Sequence, residues 1–212
     1  PGYRIVVLMN LKNYSLFPTL VSYASNFLNI DQCKRIKKYV YKSSLKTKFT
    51  KQASIVGGSN SLSTYSKHID MIAHIEQNVE DCKNLKSSIL KCSAQYGKDA
   101  GLVMNNLIGN SWLNIQEPGS ILKDHIHRNS IISGVLFLNT DEKSTPLYFH
   151  NPNPYLYYSP IKDEHHTQYS FEWYSFTPAI GDLILFPSWL KHGSNQIKNK
   201  LKDRMVLSFN IS

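Results

Sequence analysis

From residue 102 onward the chain falls into short apolar runs rich in Ile, Val, Leu, Phe, Tyr and Trp, each closed by turn residues. They are 102–108, 111–117, 120–127, 131–139, 146–150, 155–159, 168–177, 182–187, 190–196 and 203–211. Strands this short and evenly spaced must share one core, so a sandwich or barrel is expected. There is no βαβ alternation, no Gly-rich phosphate loop and no internal repeat.

The first hundred residues read differently. Residues 14–29 suggest a short extended opening strand. Asp31 is a plausible N-cap for a helix whose Cys33, Ile36 and Val40 share one face, with Lys34, Arg35, Lys37 and Lys38 mostly off it. Residues 42–66, broken at Gly57-Gly58, read as a loop with at most one weak strand. A second helical region spans Asp70 to Tyr96, with Ile72, Ile75, Val79, Cys82 and Ile89 at helical spacing and Gly97 as the C′ residue. These helices are expected to pack outside one sheet as a buttress. A chain of 212 residues can bury one good-sized core, so a single domain is the default. It is placed at 9–212, with 9–100 as helical buttress and loops and 101–212 as barrel. Residues 1–8 are read as a cloning or upstream remnant, with translation starting at Met9.

Charge is split between the halves. Residues 1–100 carry 15 Lys+Arg against 6 Asp+Glu, whereas residues 101–212 carry 9 of each. A solvated lysine-rich face explains this more simply than a nucleic-acid surface. No apolar run approaches the ~18–20 residues of a spanning helix. Cys33, Cys82 and Cys92 are odd in number and lack C-x-x-C spacing, which points to reduced core residues and a cytoplasmic setting.

Chemistry concentrates in the barrel half. His125 and His127 are one residue apart on an extended segment, so both rings point to one side. His192, in a strand-like segment much later, can face them. A metal site for oxygen chemistry needs ligands on one triangular face, and a jelly roll supplies it as two from one strand and one from a facing strand. Imidazole suits iron, zinc, copper and nickel alike. Twelve residues after His192, Arg204 opens the last strand and shares a face with Val206, Ser208 and Asn210. If that face is interior, a buried cation lies among apolar walls, which is costly unless an anion joins it. An organic acid bridging the metal and Arg204 would satisfy both. Asp124 points away from the histidine side of a regular strand. His68, His74, His150, the Asp163-Glu164-His165-His166 run and Trp189 are read as surface, packing or loop residues, with His150 the one that could still face the pocket.

These segments resemble the iron(II)- and 2-oxoglutarate-dependent oxygenase superfamily, prolyl hydroxylases included. Gly119 stands six residues before His125, "SGVLFLN" matches the apolar strand after the H-x-H pair, and "GDLILF" the strand before the distal His. More narrowly, the chain is similar to the 2-oxoglutarate–iron oxygenase family of phages and marine bacteria. It has that family's Ser111-Trp112-Leu113-Asn114, His125 to Val135, Phe186 to His192 and Arg204 to Asn210 segments. The resemblance is strong over roughly 105–211. It implies a fold that is mainly β with flanking helices (α+β), a double-stranded β-helix of jelly-roll or cupin-like form. It also implies iron(II) on His125, His127 and His192, and 2-oxoglutarate as co-substrate on Arg204, with Asn114 and Ser133 within reach of it. The implied reaction is dioxygen-dependent hydroxylation of a small-molecule or peptide substrate, in the host cytoplasm if the gene is a phage's. His127 stands where the superfamily usually has a carboxylate, though the narrower family shares it. Val206 stands where many relatives have a serine. Two alternatives stay open: a three-histidine metal dioxygenase or lyase that does not use 2-oxoglutarate, and a non-catalytic jelly-roll binding module. Oligomeric state is not legible.

Overall fold

A computed structural model describes residues 12, 15–51, 61–105, 107–154, 167, 169–194 and 196–212. The run 155–159, His165, His166, Gly57-Gly58 and residues 1–8 lie outside these.

Ten strands and three α-helices make up the described chain. In chain order they are β1 (Ser22–Ala24), α1 (Ile30–Lys42), β2 (Thr50–Lys51), β3 (Ser61–Ser63), α2 (Met71–Asn78), α3 (Leu85–Asp99) and β4 (Ile108–Gln116). Then come β5 (Ile132–Asn139), β6 (Leu147–His150), β7 (Trp173–Phe176), β8 (Leu183–Pro187), β9 (His192–Gly193) and β10 (Arg204–Ile211). Seven strands form an antiparallel sheet in the order β1-β8-β5-β10-β4-β3-β2. A smaller sheet, β7-β6-β9, faces it. Residues 122–127 extend that sheet: His125 N–H donates to His192 O (2.9 Å), His192 N–H to His125 O (3.0 Å), and Ser194 N–H to Leu122 O (3.0 Å). Sequence-distant strands interleave in both layers, which is the double-stranded β-helix.

The period-2 rule decides what each layer buries. On β10, Met205, Leu207, Phe209 and Ile211 join Cys33, Ile36, Val40, Ile72, Ile75 and Ile89 in one apolar core between the large sheet and the helices. Val206, from the other face, joins Phe137, Leu147, Phe149, Ile184, Phe186 and Leu190 between the sheets. Each fully buried side chain of this size contributes about 1.5–3 kcal/mol over an exposed one. The helices therefore pack outside the large sheet, as the periodicities indicate.

Helix ends differ from the sequence expectation. The α1 cap is Asn29, not Asp31: Asn29 Oδ1 accepts from Gln32 N–H (2.9 Å), and Gln32 Oε1 from Asn29 N–H (3.0 Å). This reciprocal box satisfies two otherwise orphaned donors. Asp70 does cap a helix, but α2 stops at Asn78, and a 3₁₀ turn at Glu80–Cys82 intervenes before α3. Gly97 lies inside α3, where a Cβ would press on Met104 Sδ at 2.6 Å. The left-handed residue is Gly101, with Gly101 N–H donating to Lys98 O (3.2 Å) and Leu102 N–H to Gly97 O (2.8 Å). Residues 102–105 and 107 carry no strand; Val103 is almost wholly exposed. The opening strand shrinks to β1.

Gly181, in the turn before β8, has φ 91°, and a Cβ there would overlap the Leu28 carbonyl oxygen. That carbonyl belongs to the residue whose N–H donates to Gly181 O (3.0 Å). Gly181→Ala should cost at least about 2 kcal/mol, combining left-handed strain with a backbone clash. Chemical denaturation would read it.

Candidate metal centre and co-substrate pocket

The small sheet brings the histidines together. His125 and His127 lie on the 122–127 extension and His192 opens β9. The reciprocal backbone bonds of His125 and His192 lock the two strands, and His127 N–H donates to Ser188 O (2.9 Å). The ring centroids of His125 and His192 are 4.3 Å apart, and His127 is 5.1 Å from each. One ligating nitrogen from each ring lies within 4.8 Å of the others.

Tautomers follow from partners. His125 Nδ1 lies 2.8 Å from Lys123 O and His192 Nδ1 lies 2.8 Å from Leu190 O. A carbonyl only accepts, so both Nδ1 atoms carry the proton and both Nε2 atoms keep a lone pair. His192 Nε2 faces His127 Nε2 at 3.3 Å. Burial pushes all three basicities down. The His127 pKa falls to about 4, first by desolvation and then by His125, while the Asn210 side chain raises it in part. The His192 pKa falls well below the ordinary value, mainly by desolvation, and the His125 pKa falls for the same reason. Three neutral imidazoles converging on one point suit a divalent transition metal.

The depressed values have a consequence for the metal-free protein. Between pH 6.5, the ordinary value, and about 4, the unfolded chain takes up protons that folded His127 refuses. Stability contributed by this buried ring is thus fully present above pH 6.5 and lost as pH falls toward 4. The apoprotein's melting temperature should drop across that window, and His127→Phe should flatten the drop in a calorimetric pH series.

Around the rings the walls are aromatic. Trp112 stacks on His127 (5.6 Å, 24°) and Tyr65 meets Trp112 edge-on (5.0 Å, 77°). Phe186 meets His192 edge-on (4.6 Å, 62°). The rings open on a cavity of about 590 Å³ that is also lined by Arg204, Asn114, Ser133, Gln116, Ser208 and Asn210. Arg204 is buried, and desolvation lowers its pKa to about 10, so it stays charged at neutral pH. Its Nη1 donates to Gln116 Oε1, its guanidinium sits 5.5 Å from the Phe137 ring centre, and its Nε has no partner. No carboxylate pairs with it among the described residues.

Asn114 Nδ2 donates to Ser208 Oγ (3.3 Å), and its buried Oδ1 is unpartnered. The Ser133 hydroxyl donates to Asn210 Oδ1 (2.8 Å) and lies 2.9 Å from Ser188 Oγ. Ser133 is thus tied into a polar chain that Asn210 Nδ2 continues to Asn110 Oδ1 (2.9 Å). Asp124 does point away from the cluster: its Oδ2 lies 2.9 Å from His150 Nε2, without hydrogen-bond alignment, and 3.9 Å from Lys191 Nζ. His150 is drawn to that side and does not line the cavity. His74 sits beside Tyr39, and His68 is an exposed cap residue, both away from the cluster. Trp189, expected to pack in the wall, is 55% exposed. Sequence reasoning did not single out Trp112, Gln116 or Asn210 as site residues. The position of each on the inner face of β4 or β10 was the available signal.

A β-helix whose small sheet gathers three imidazoles, with a guanidinium in the same cavity, is the framework of a non-haem metal oxygenase. A family model described as "Putative 2OG-Fe(II) oxygenase" matches residues 110–210. Over residues 110–210, just under half of the chain, the protein is thus similar to the 2OG-Fe(II) oxygenase family, and the converging histidines and the shared fold support an iron(II)- and 2-oxoglutarate-dependent oxygenase. Among solved structures it is similar to a prolyl-4-hydroxylase from Pseudomonas putida (TM-score 0.63, 15% identity, 92% of this chain and 94% of that one). It is also similar to HygX from Streptomyces hygroscopicus with nickel and 2-oxoglutarate bound (TM-score 0.56, 10% identity, 90% and 82%). A third is the viral collagen prolyl hydroxylase of Paramecium bursaria Chlorella virus-1 in its 2OG complex (TM-score 0.53, 12% identity, 90% and 94%). No curated protein sequence matches the chain. Among the described residues no helix is long and apolar enough to cross a membrane.

Proposed function

We propose that His125, His127 and His192 hold the iron(II) and that Arg204 anchors the far carboxylate of 2-oxoglutarate, in a hydroxylase of small molecules or peptides. The observation that carries this is Arg204: a buried cation with an unpartnered Nε, open to the cavity where three Nε2 atoms converge. Such a cation is stable only if an anion completes it. A dicarboxylate chelating the metal through its 2-oxo acid end has the required second charge.

The donor set fits both groups. Neutral imidazoles with lone pairs aimed inward are ready ligands, and the carbonyls of Lys123 and Leu190 keep two of them in the right tautomer. Gln116 holds the guanidinium in place. With the Asn114 amide turned over, Oδ1 accepts from Ser208 and Nδ2 faces the co-substrate, an assignment the heavy atoms permit. Ser133 acts on the same side by holding Asn210. Phe137, Phe186, Leu147 and Val206 keep water from the charged groups. When bound, iron(II) supplies dioxygen activation coupled to decarboxylation of 2-oxoglutarate, giving succinate, carbon dioxide and a hydroxylated product.

Residues 9–212 act as one unit, since a single apolar core spans the helices and the large sheet. The described cysteines are free, which suits a reducing compartment such as the cytoplasm. The test is anaerobic addition of iron(II) and 2-oxoglutarate. The visible charge-transfer band of the chelate should appear. Bound iron without that band would favour a three-histidine dioxygenase acting on a chelating substrate.

A further inference from the structure

Resting on that iron and 2-oxoglutarate reading, we propose that the oxidised substrate is an anion and that Arg128 seats its carboxylate or phosphate at the mouth of the cavity. Two observations carry this. The first is a charge balance. Iron(II) and Arg204 together bring three positive charges and 2-oxoglutarate brings two negative ones. The third ligand, His127, is neutral, so nothing from the protein cancels the remainder. No Asp or Glu is among the described residues that line the cavity. The loaded centre therefore keeps a net positive charge in surroundings of low dielectric, where it acts at longer range than in water. A carboxylate in place of His127 would have removed it.

The second observation is where the next cation sits. Arg128 follows His127 directly, lines the same cavity and is exposed. It makes no ion pair or hydrogen bond with a described residue. The chain turns straight after it, with Asn129 at φ 61°. The same cavity is lined by Tyr65, which is itself exposed, and by a hydroxyl pair, Thr50 Oγ1 and Ser66 Oγ, 3.0 Å apart. The cavity thus offers a planar donor fork, two hydroxyls and an aromatic ring, with no acid among the described residues that line it. Guanidinium forks match carboxylate and phosphate geometry bidentately. Arg204 cannot fill this role, being buried and taken by the co-substrate.

The test uses the full chain loaded anaerobically with iron(II) and 2-oxoglutarate. Two matched pairs serve as probes: N-acetyl-L-aspartate against N-acetyl-L-asparagine, and O-phospho-L-serine against L-serine. Calorimetric Kd and displacement of the chelate band are read, neither of which needs turnover. The anionic member of at least one pair should bind about tenfold tighter than its neutral partner, a gap that closes in Arg128→Gln and partly returns in Arg128→Lys. Which pair responds separates carboxylate from phosphate. Equal binding within both pairs, or an advantage that survives Arg128→Gln, overturns the proposal, as does no binding of either anion at about 10 mM. A wild-type protein that forms no chelate band would instead defeat the iron and 2-oxoglutarate reading. The band in Arg128→Gln controls for an intact centre.

Discussion

Arg204→Ala should abolish tight 2-oxoglutarate binding while leaving metal binding nearly intact. Truncating one partner of a buried, hydrogen-bonded charge pair costs about 2–5 kcal/mol, or roughly 30-fold to several thousand-fold in affinity. The guanidinium and the histidines come from different strands, β10 on one side and β9 with its neighbouring extension on the other. The metal should not feel the loss directly. The same residue makes an opposite prediction for the ligand-free protein. A buried, unpaired cation is a burden on the fold, so Arg204→Met should raise the apoprotein's melting temperature. 2-Oxoglutarate should raise it in the wild type but not in the variant. Anaerobic titration and thermal unfolding with and without 2-oxoglutarate read both effects. Equal loss of metal and co-substrate in Arg204→Ala would count against the assignment.

The second large effect concerns the ligands. His192→Ala should weaken iron binding by more than the roughly 10–100-fold typical of losing an outer-shell partner. His192 is 2% exposed and lies between the other two imidazoles and the Phe186 ring, so no solvent ligand replaces it without cost. His127→Ala should also lose metal, whereas His127→Asp should keep much of it, because carboxylate is an equally good ligand for iron(II). That substitution also cancels the surplus positive charge of the loaded centre. It should therefore weaken the preference for anionic probes even with Arg128 present. Competition with a coloured chelator gives the affinities. Alanine variants that hold iron as tightly as the wild type would remove the metal centre from this cluster.

Much of this was written in local sequence, and the reasons are physical. Strands β5, β8 and β10 were legible because each is an unbroken apolar or alternating run in the barrel's middle layer, where burial on both faces leaves little freedom. The H-x-H pair and Arg204 were legible because strand alternation alone fixes which side chains share a face. The edges were not. Residues 102–105 include three apolar side chains yet carry no strand, and pairing begins only at Leu107, which exchanges backbone hydrogen bonds with Ser212. The break between α2 and α3 was invisible because the buried positions continue in helical spacing across the 3₁₀ turn, through Val79 and Cys82. Gly97 misled for a related reason. A glycine near a helix end suggests a cap, but this one is small to admit Met104. Asn210 could be read only as part of a motif. Its place beside His127 and Ser133 needs the register of β10 against β5, which one strand cannot announce.

All eight residues of β10 are buried, alternate ones toward the helices and toward the cavity. The strand is therefore a shared wall between two rooms, with no neutral surface on which mutations can accumulate harmlessly. A bulkier or smaller side chain at Phe209, chosen only to tune the helical core, would shift Ser208 and Asn210 within the cavity by the same backbone adjustment. Attempts to retune the pocket through this strand will therefore be filtered by foldability before they are filtered by chemistry. The rim loop around Arg128, held by no such double duty, is where specificity can drift at least cost.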